Sequence, residues 1–169
     1  MLIALITDIH GNKEALSWAF DQIKESEAKH IICLGDIASP DTIIKLTEAP
    51  LPVFCVFGNN DGDRVRMIRL ADAPGSKLVL ADREWADITL DDKTFFCTHY
   101  PELAEHAATS GKYDAVFFGH THEVYNDMIG DVPILNPGKL ALYPLKTPPS
   151  MMFYNTQSKE VTLIHKELS

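Results

Sequence analysis

The sequence predicts an α/β fold in which two mixed β-sheets pack face to face and helices cover their outer faces, a four-layer αββα sandwich. Three observations predict it. Apolar strand-like runs alternate with amphipathic helical runs through the first half, and short strand-like runs separated by turns dominate the second. The length of 169 residues suits one substantial core, which gives a single domain over residues 1–169.

Residues 2–7 form the first apolar run, and a helix follows over residues 13–27. Asn12 is its N-cap, and Ala15, Leu16, Ala19, Phe20 and Ile23 share one face at the helical period. A strand at 31–34, a helix at 41–47 and a strand at 53–57 continue a βαβαβ order, which implies a parallel sheet. A short helix at 63–71 stops before Pro74-Gly75. Strands then follow at 78–80, 85–90 and 94–98, with a tight hairpin turn at Asp91-Asp92 between the last two. After a helix at 102–109 and a strand at 115–118, the remaining strands fall at 124–129, 133–135, 151–155 and 161–165. The proline-rich stretch 144–149 reads as a surface crossing. The first sheet is expected to be largely parallel and the second more antiparallel.

Hydrophobic residues make up 46% and charged residues 23%, as in ordinary globular chains, which excludes disordered and collagen-like classes. A net charge of −9 disfavours a nucleic-acid polymer as partner, since that binding needs clustered Lys and Arg. Bound cations would reverse the sign locally, so a small phosphorylated substrate is compatible with an acidic surface. No secretory leader or membrane-spanning run is visible, so the expected location is cytoplasmic, with no membrane partner. Cys33, Cys55 and Cys97 sit apart in apolar runs and read as reduced core thiols. Strand-rich segments near the C-terminus could pair across a homodimer.

Four segments share a design in which an apolar strand ends and the chain turns at once into side chains that can ligate metals. They are Leu5-Ile-Thr-Asp-Ile-His-Gly-Asn12, Cys33-Leu-Gly-Asp36, Val56-Phe-Gly-Asn-Asn-Asp61 and Val116-Phe-Phe-Gly-His-Thr-His122. Phe96-Cys-Thr-His99 repeats the design with one imidazole. Open α/β sheets gather ligands at the carboxyl ends of their strands, so these ends are expected to converge on one crevice.

Read singly, the segments differ in force. Asp8 and His10 flank Ile9, and an extended backbone would point both to one side; a turn with a capping Asp and a solvent-facing His fits equally well. Gly35-Asp36 alone is ordinary turn chemistry, yet its carboxylate has two oxygens and is the natural shared ligand if two cations are held. Gly58-Asn59-Asn60-Asp61 alone reads first as a loop, although an Asn carbonyl can serve as a neutral ligand. His120 and His122 have no common packing explanation, and imidazole suits Zn, Mn, Fe or Ni. His99 would complete the nitrogen donors. His30, His106 and His165 lack such companions and read as structural or surface residues.

The ordered set Asp8-x-His10, Gly35-Asp36, Gly58-Asn59-x-Asp61, His99 and Gly119-His120-x-His122 resembles the signature of calcineurin-like metallophosphoesterases, over a stretch from Asp8 to Gly138. The length and Asn136-Pro137-Gly138 look most like their compact YfcE-like phosphodiesterase branch in bacteria and archaea. The resemblance implies the calcineurin-like fold and one divalent cation held by Asp8, His10, Asp36 and His122. A second would be held by Asp36, Asn59, His99 and His120, with Asp36 between them. It implies manganese first, with nickel, iron or zinc as alternatives, and phosphoester hydrolysis by in-line attack of a bridging hydroxide.

Three positions depart from the pattern. Asn60 stands where many relatives carry a histidine that donates a proton to the leaving group, so activated or aryl esters are the expected substrates. Tyr100 follows His99 where a glycine is common, and its ring would narrow the cleft or stack on a base. Lys139 follows Gly138 where a small residue is expected, and reads either as a phosphate contact or as plain surface. Asn12 and Asp61 are further candidates for supporting or substrate contacts. The alternative function is a weakly catalytic or non-catalytic protein-binding module, as in a trafficking relative on the same scaffold.

Overall fold

Strand β1 (Leu2–Ile6) organises the molecule because its alternate side chains enter two different cores. Ile3 and Leu5 point between the sheets, while Ala4 and Ile6 point to a layer of helices. The computed structural model describes residues 1–143 and 147–167.

From β1 the chain runs through α1 (Lys13–Lys24), β2 (His30–Cys33), α2 (Pro40–Thr47), β3 (Val53–Cys55), α3 (Arg64–Ala71) and β4 (Leu78–Leu80). It continues with β5 (Trp85–Leu90), β6 (Lys93–Thr98), α4 (Pro101–Thr109) and β7 (Ala115–Phe117). The last strands are β8 (Val124–Ile129), β9 (Val132–Pro137), β10 (Ser150–Asn155) and β11 (Val161–His165). One sheet has the order β11-β10-β1-β2-β3-β4, the other β5-β6-β7-β9-β8. In the first sheet β1 to β4 pair in parallel, while the β1-β10 and β10-β11 pairs are antiparallel, so β10 alone runs against the other strands. The second divides evenly, with β6-β7 and β7-β9 parallel and β5-β6 and β8-β9 antiparallel.

Three cores fill the spaces between four layers. α1, α2 and α3 cover one face of the first sheet, where Leu16, Phe20, Ile43, Leu46 and Met67 pack on Ile6, Ile31 and Phe57. Ile3, Leu5, Ile32, Phe95, Phe117 and Tyr154 meet between the sheets. α4 covers the second sheet through Ala104, Ala107 and Ala108 against Val116 and Phe118. Each large apolar side chain so buried contributes roughly 1.5–3 kcal/mol, and the two-sided burial of the central strands explains their unbroken apolar runs. The free cysteines Cys33, Cys55 and Cys97 are buried in these cores, as expected.

The boundaries differ from the expected ones in an informative way. α1 stops at Lys24 because the Ser26 hydroxyl donates to the Ile23 carbonyl at 2.8 Å, and Lys29 already bonds to Leu2 of the sheet. β1, β2 and β3 end before the metal-capable residues, whose backbones bond between loops instead. Asp91 and Asp92 both have φ near 58°, so the tight hairpin turn forms as the sequence suggested. The first three residues of the expected 144–149 crossing lie outside the described residues. Among the described residues, no helix is long and apolar enough to cross a membrane.

Candidate metal centre

Five parallel strand ends converge, three from one sheet and two from the other. β1 leads into Asp8 and His10, β2 into Asp36, β3 into Asn59, β6 into His99, and β7 into His120 and His122. Neighbouring loops are joined by backbone bonds: Asp8 N–H donates to Gly35 O at 3.1 Å, His10 N–H to Asp36 O at 2.9 Å, and Gly119 N–H to His99 O at 3.2 Å.

The local backbone corrects the extended geometry offered for Asp8-x-His10, and His120-x-His122 turns in the same way. Asp8 (φ 50°), His10 (45°), Asp36 (51°), His120 (72°) and His122 (60°) all occupy the left-handed region. The ladder has ended before each of them, and the left-handed turns swing their side chains over the strand ends. Such conformations are uncommon outside glycine, though Asp and His adopt them more readily than most residues. Their concentration at one site marks stored strain of the kind found at functional centres, about 1–3 kcal/mol for each residue.

Asp8, His10, Asp36 and His122 bring four ligand atoms within 4.8 Å of one another. His10 Nε2 lies 3.2 Å from His122 Nε2 and 3.3 Å from Asp36 Oδ2. Asp8 Oδ2 accepts from the Thr7 hydroxyl at 2.8 Å and from His120 N–H at 2.9 Å. Its other oxygen, Oδ1, is buried without a hydrogen bond and faces His122 Nε2 at 3.2 Å and His10 Nε2 at 3.7 Å. A buried carboxylate oxygen without a donor is costly, and a cation among these four groups would satisfy it. The donor set therefore fits a divalent metal. Burial pushes the Asp8 carboxyl up, but His10 and His122 facing it outweigh burial and hold it below the usual carboxylate range. His10 is raised in turn, chiefly by Asp8 and against its own burial.

A second group forms beside the first. Asn59 Oδ1 lies 3.0 Å from His99 Nε2 and 2.9 Å from His120 Nδ1, and those two nitrogens are 3.2 Å apart. His99 Nδ1 lies 2.8 Å from the Leu34 carbonyl, which can only accept, so Nδ1 carries the proton and Nε2 presents a lone pair to the cluster. Asp36 belongs to both groups: Oδ2 faces His10, and Oδ1 lies 3.5 Å from His99 Nε2. All seven donors singled out in the sequence thus meet at one place.

The remaining candidates surround them. Asn60 donates to Asp36 twice, from its backbone N–H to Oδ1 at 2.8 Å and from its side-chain amide to Oδ2 at 2.7 Å. Asp61 accepts from Gly58 N–H at 2.6 Å and Ala38 N–H at 2.7 Å, tying the third loop to the second, and burial pushes its carboxyl up. Asn12 caps α1 through Ala15 N–H and donates to Leu140 O at 2.9 Å. The Tyr100 ring packs at 5.3 Å from the His99 ring and 5.4 Å from that of His120, so it borders the second group. Lys139 is 1% exposed, which overturns the reading of it as plain surface. Its backbone lies under Ser150, whose N–H donates to the Lys139 carbonyl as β10 begins.

Several supporting residues were not readable in advance. Thr7 holds Asp8, and Asn136 donates to Gly119 O at 2.8 Å and Thr121 Oγ1 at 3.1 Å, clasping the turn that carries both histidines. Arg64 joins Gly58 O at 2.9 Å to Glu84 at 2.7 Å, and the Glu84 carbonyl accepts from His99 N–H. Glycine supplies the clearance: a Cβ on Gly58 would collide with Asp36 Oδ1, and one on Gly119 with Thr7 Oγ1 and Asp8 Oδ2.

Residues 1–159 match the model of the calcineurin-like phosphoesterase superfamily domain. The chain belongs to this superfamily. Phosphodiesterase MJ0936 of Methanocaldococcus jannaschii is 28% identical over 162 residues, covering 95% of this chain and 96% of the relative. Phosphodiesterase YfcE of Escherichia coli K12 is 24% identical over 156 residues, covering 84% and 80% of the two chains. The solved structure of an archaeal phosphodiesterase superposes with a TM-score of 0.88 at 28% identity, covering 98% of this chain and all of the other. The vacuolar protein sorting 29 structure of Cryptosporidium parvum shares the fold, with a TM-score of 0.67 at 21% identity over 99% and 97% of the two chains. This calcineurin-like phosphoesterase therefore sits in the MJ0936/YfcE branch, and the two mixed sheets and four helices among its described residues are those of the superfamily.

Proposed function

We propose that the chain is a metal-dependent phosphodiesterase holding two divalent cations, one among Asp8, His10, Asp36 and His122 and the other among Asp36, Asn59, His99 and His120. The observation that carries this reading is the junction at Asp36, whose two oxygens face histidines of both groups. When bound, the cations supply an activated water and neutralise charge on the phosphate oxygens.

The chain's own residues fix and tune the centre. Asp8 and Asp36 bring the negative charge that two dications require, and Asn59 contributes a neutral oxygen that keeps the second group less anionic. Asn60 orients Asp36 but, as a neutral amide, has no proton to give a departing alkoxide. Aryl and other activated esters are the favoured substrates for that reason. Mixed oxygen and nitrogen donors admit manganese first, then nickel, iron or zinc. The phosphodiesterases MJ0936 and YfcE support diester cleavage, and the acidic surface favours a small substrate over a nucleic-acid polymer. Three free, buried thiols suit a reducing compartment such as the cytoplasm.

The test is hydrolysis of bis-p-nitrophenyl phosphate with added Mn²⁺ or Ni²⁺, alongside elemental analysis. The expected result is metal-dependent release of p-nitrophenol, abolished by a chelator. A chain that binds two metals without turnover would rule out the enzyme.

A further inference from the structure

A cleft of about 520 Å³ opens directly beside the metal centre, lined by His10, Asn12, His122, Ala141, Leu142 and Tyr143. Two of its six lining residues are also candidate ligands of the first cation, so the cleft and the proposed phosphate site are continuous. The opposite wall is apolar. Leu142 is 51% and Tyr143 68% exposed, although the neighbouring Leu140 and Ala141 are buried.

This wall is fastened to the centre. Leu140 N–H donates to Thr7 O at 3.0 Å, one residue before Asp8, and Leu140 O accepts from the Asn12 side chain at 2.9 Å. The segment that presents Leu142 and Tyr143 is therefore tied to the loop that presents Asp8 and His10. Among the described residues that line the cleft, the polar side chains besides the two imidazoles are the Asn12 amide and the Tyr143 hydroxyl, and none is a carboxylate, Lys or Arg. A second charged group on a substrate would find no partner among these described residues. A flat apolar group would cover Leu142 and stack on Tyr143, and the volume falls within the range of small-molecule sites.

We infer that this cleft receives an uncharged aromatic ring carried by the substrate's phosphoester, with Leu142 and Tyr143 as its specificity-determining residues. The inference rests on the phosphoesterase reading above. The ring is either a small aryl ester group or a nucleobase, which share the flat, apolar, stackable face that the wall recognises. Asn12 supplies one amide at the rim for a polar edge of the ring.

Binding to the Mn²⁺-loaded protein, followed by calorimetry, separates the two readings. Methylphosphonate reports the phosphate site alone, and phenylphosphonate adds one ring. Adenosine 5′-monophosphate against ribose 5-phosphate repeats the comparison with a nucleobase. The expected result is roughly tenfold tighter binding of the ring-bearing member in at least one pair, as stacking on an aromatic side chain gives. Which pair shows it identifies the small aryl group or the nucleobase. Leu142→Ser combined with Tyr143→Ser should remove that preference while methylphosphonate still binds, and Tyr143→Phe should keep it. Both side chains are largely exposed, so the double variant should retain its circular dichroism and metal content. Equal affinity within both pairs in the unaltered protein, or a preference that survives the double substitution, would overturn the inference. If methylphosphonate also fails to bind, the phosphate site itself is wrong and the inference falls with it.

Discussion

Asn60 grips Asp36 at both carboxylate oxygens, with its backbone N–H on Oδ1 at 2.8 Å and its side-chain amide on Oδ2 at 2.7 Å. The carboxylate shared by the two groups of donors is therefore held at two points by the neighbouring loop. Residues that orient metal ligands in this way typically contribute 10–100-fold to metal affinity or activity. Asn60→Ala is expected to weaken Mn²⁺ binding about tenfold by calorimetry, through loss of the side-chain contact alone. Unchanged affinity would show that the backbone bond suffices.

The same residue bears on the leaving group. With a neutral amide at position 60, departure of the alkoxide goes unassisted by a proton from that side chain. Across a series of substituted phenyl esters of methyl phosphate, kcat is expected to fall steeply as the leaving-group pKa rises. A flat series would point to an acid elsewhere in the site.

Gly119 tests how closely the loops are packed. An added Cβ would collide with Thr7 Oγ1 and approach Asp8 Oδ2 to 2.9 Å, whereas nothing lies within 4 Å of the same position on Gly130. Gly119→Ala should cost about 1–3 kcal/mol in chemical denaturation and weaken metal binding by displacing Asp8. Gly130→Ala should leave metal binding intact, and its effect on stability should come only from its positive φ of 60°.

Asn136 is buried, and its side-chain amide spans the Gly119 carbonyl and the Thr121 hydroxyl, while its oxygen accepts from Gly138 N–H at 2.9 Å. Asn136→Ala takes the partner from the buried Gly138 N–H and one of the bonds at the Gly119 carbonyl and the Thr121 hydroxyl, which keep Thr121 N–H and Glu123 N–H, and should destabilise the chain by about 1–3 kcal/mol. The turn carrying His120 and His122 should loosen too, so calorimetry should record weaker metal binding. A variant that lost stability but kept full metal affinity would separate the clasp from the centre.

Much of the fold was legible because the strands of the sandwich core are buried on both faces and read as continuous apolar runs, and because α1 announces itself by its N-cap and helical stripe. The seven donors were legible for a different reason. Each follows a strand end within a few residues, so topology alone brings them to one side. The backbone at those donors was not legible, since alternation of Asp8 with His10 looks the same in an extended strand and in two left-handed turns. The burial of Lys139 was not legible because a lysine carries no local signal of burial, and its place beneath the start of β10 depends on a strand eleven residues further on. Arg64 and Glu84 meet across twenty residues with no motif to announce them.

The most direct test is the metal content of Asp36→Asn beside that of the unaltered chain, by elemental analysis after loading with Mn²⁺. A shared ligand that loses one anionic oxygen should release both cations, so the expected result is two metals per unaltered chain, few or none in the variant, and hydrolysis of bis-p-nitrophenyl phosphate lost in parallel. Two metals and full turnover retained in Asp36→Asn would contradict the shared centre.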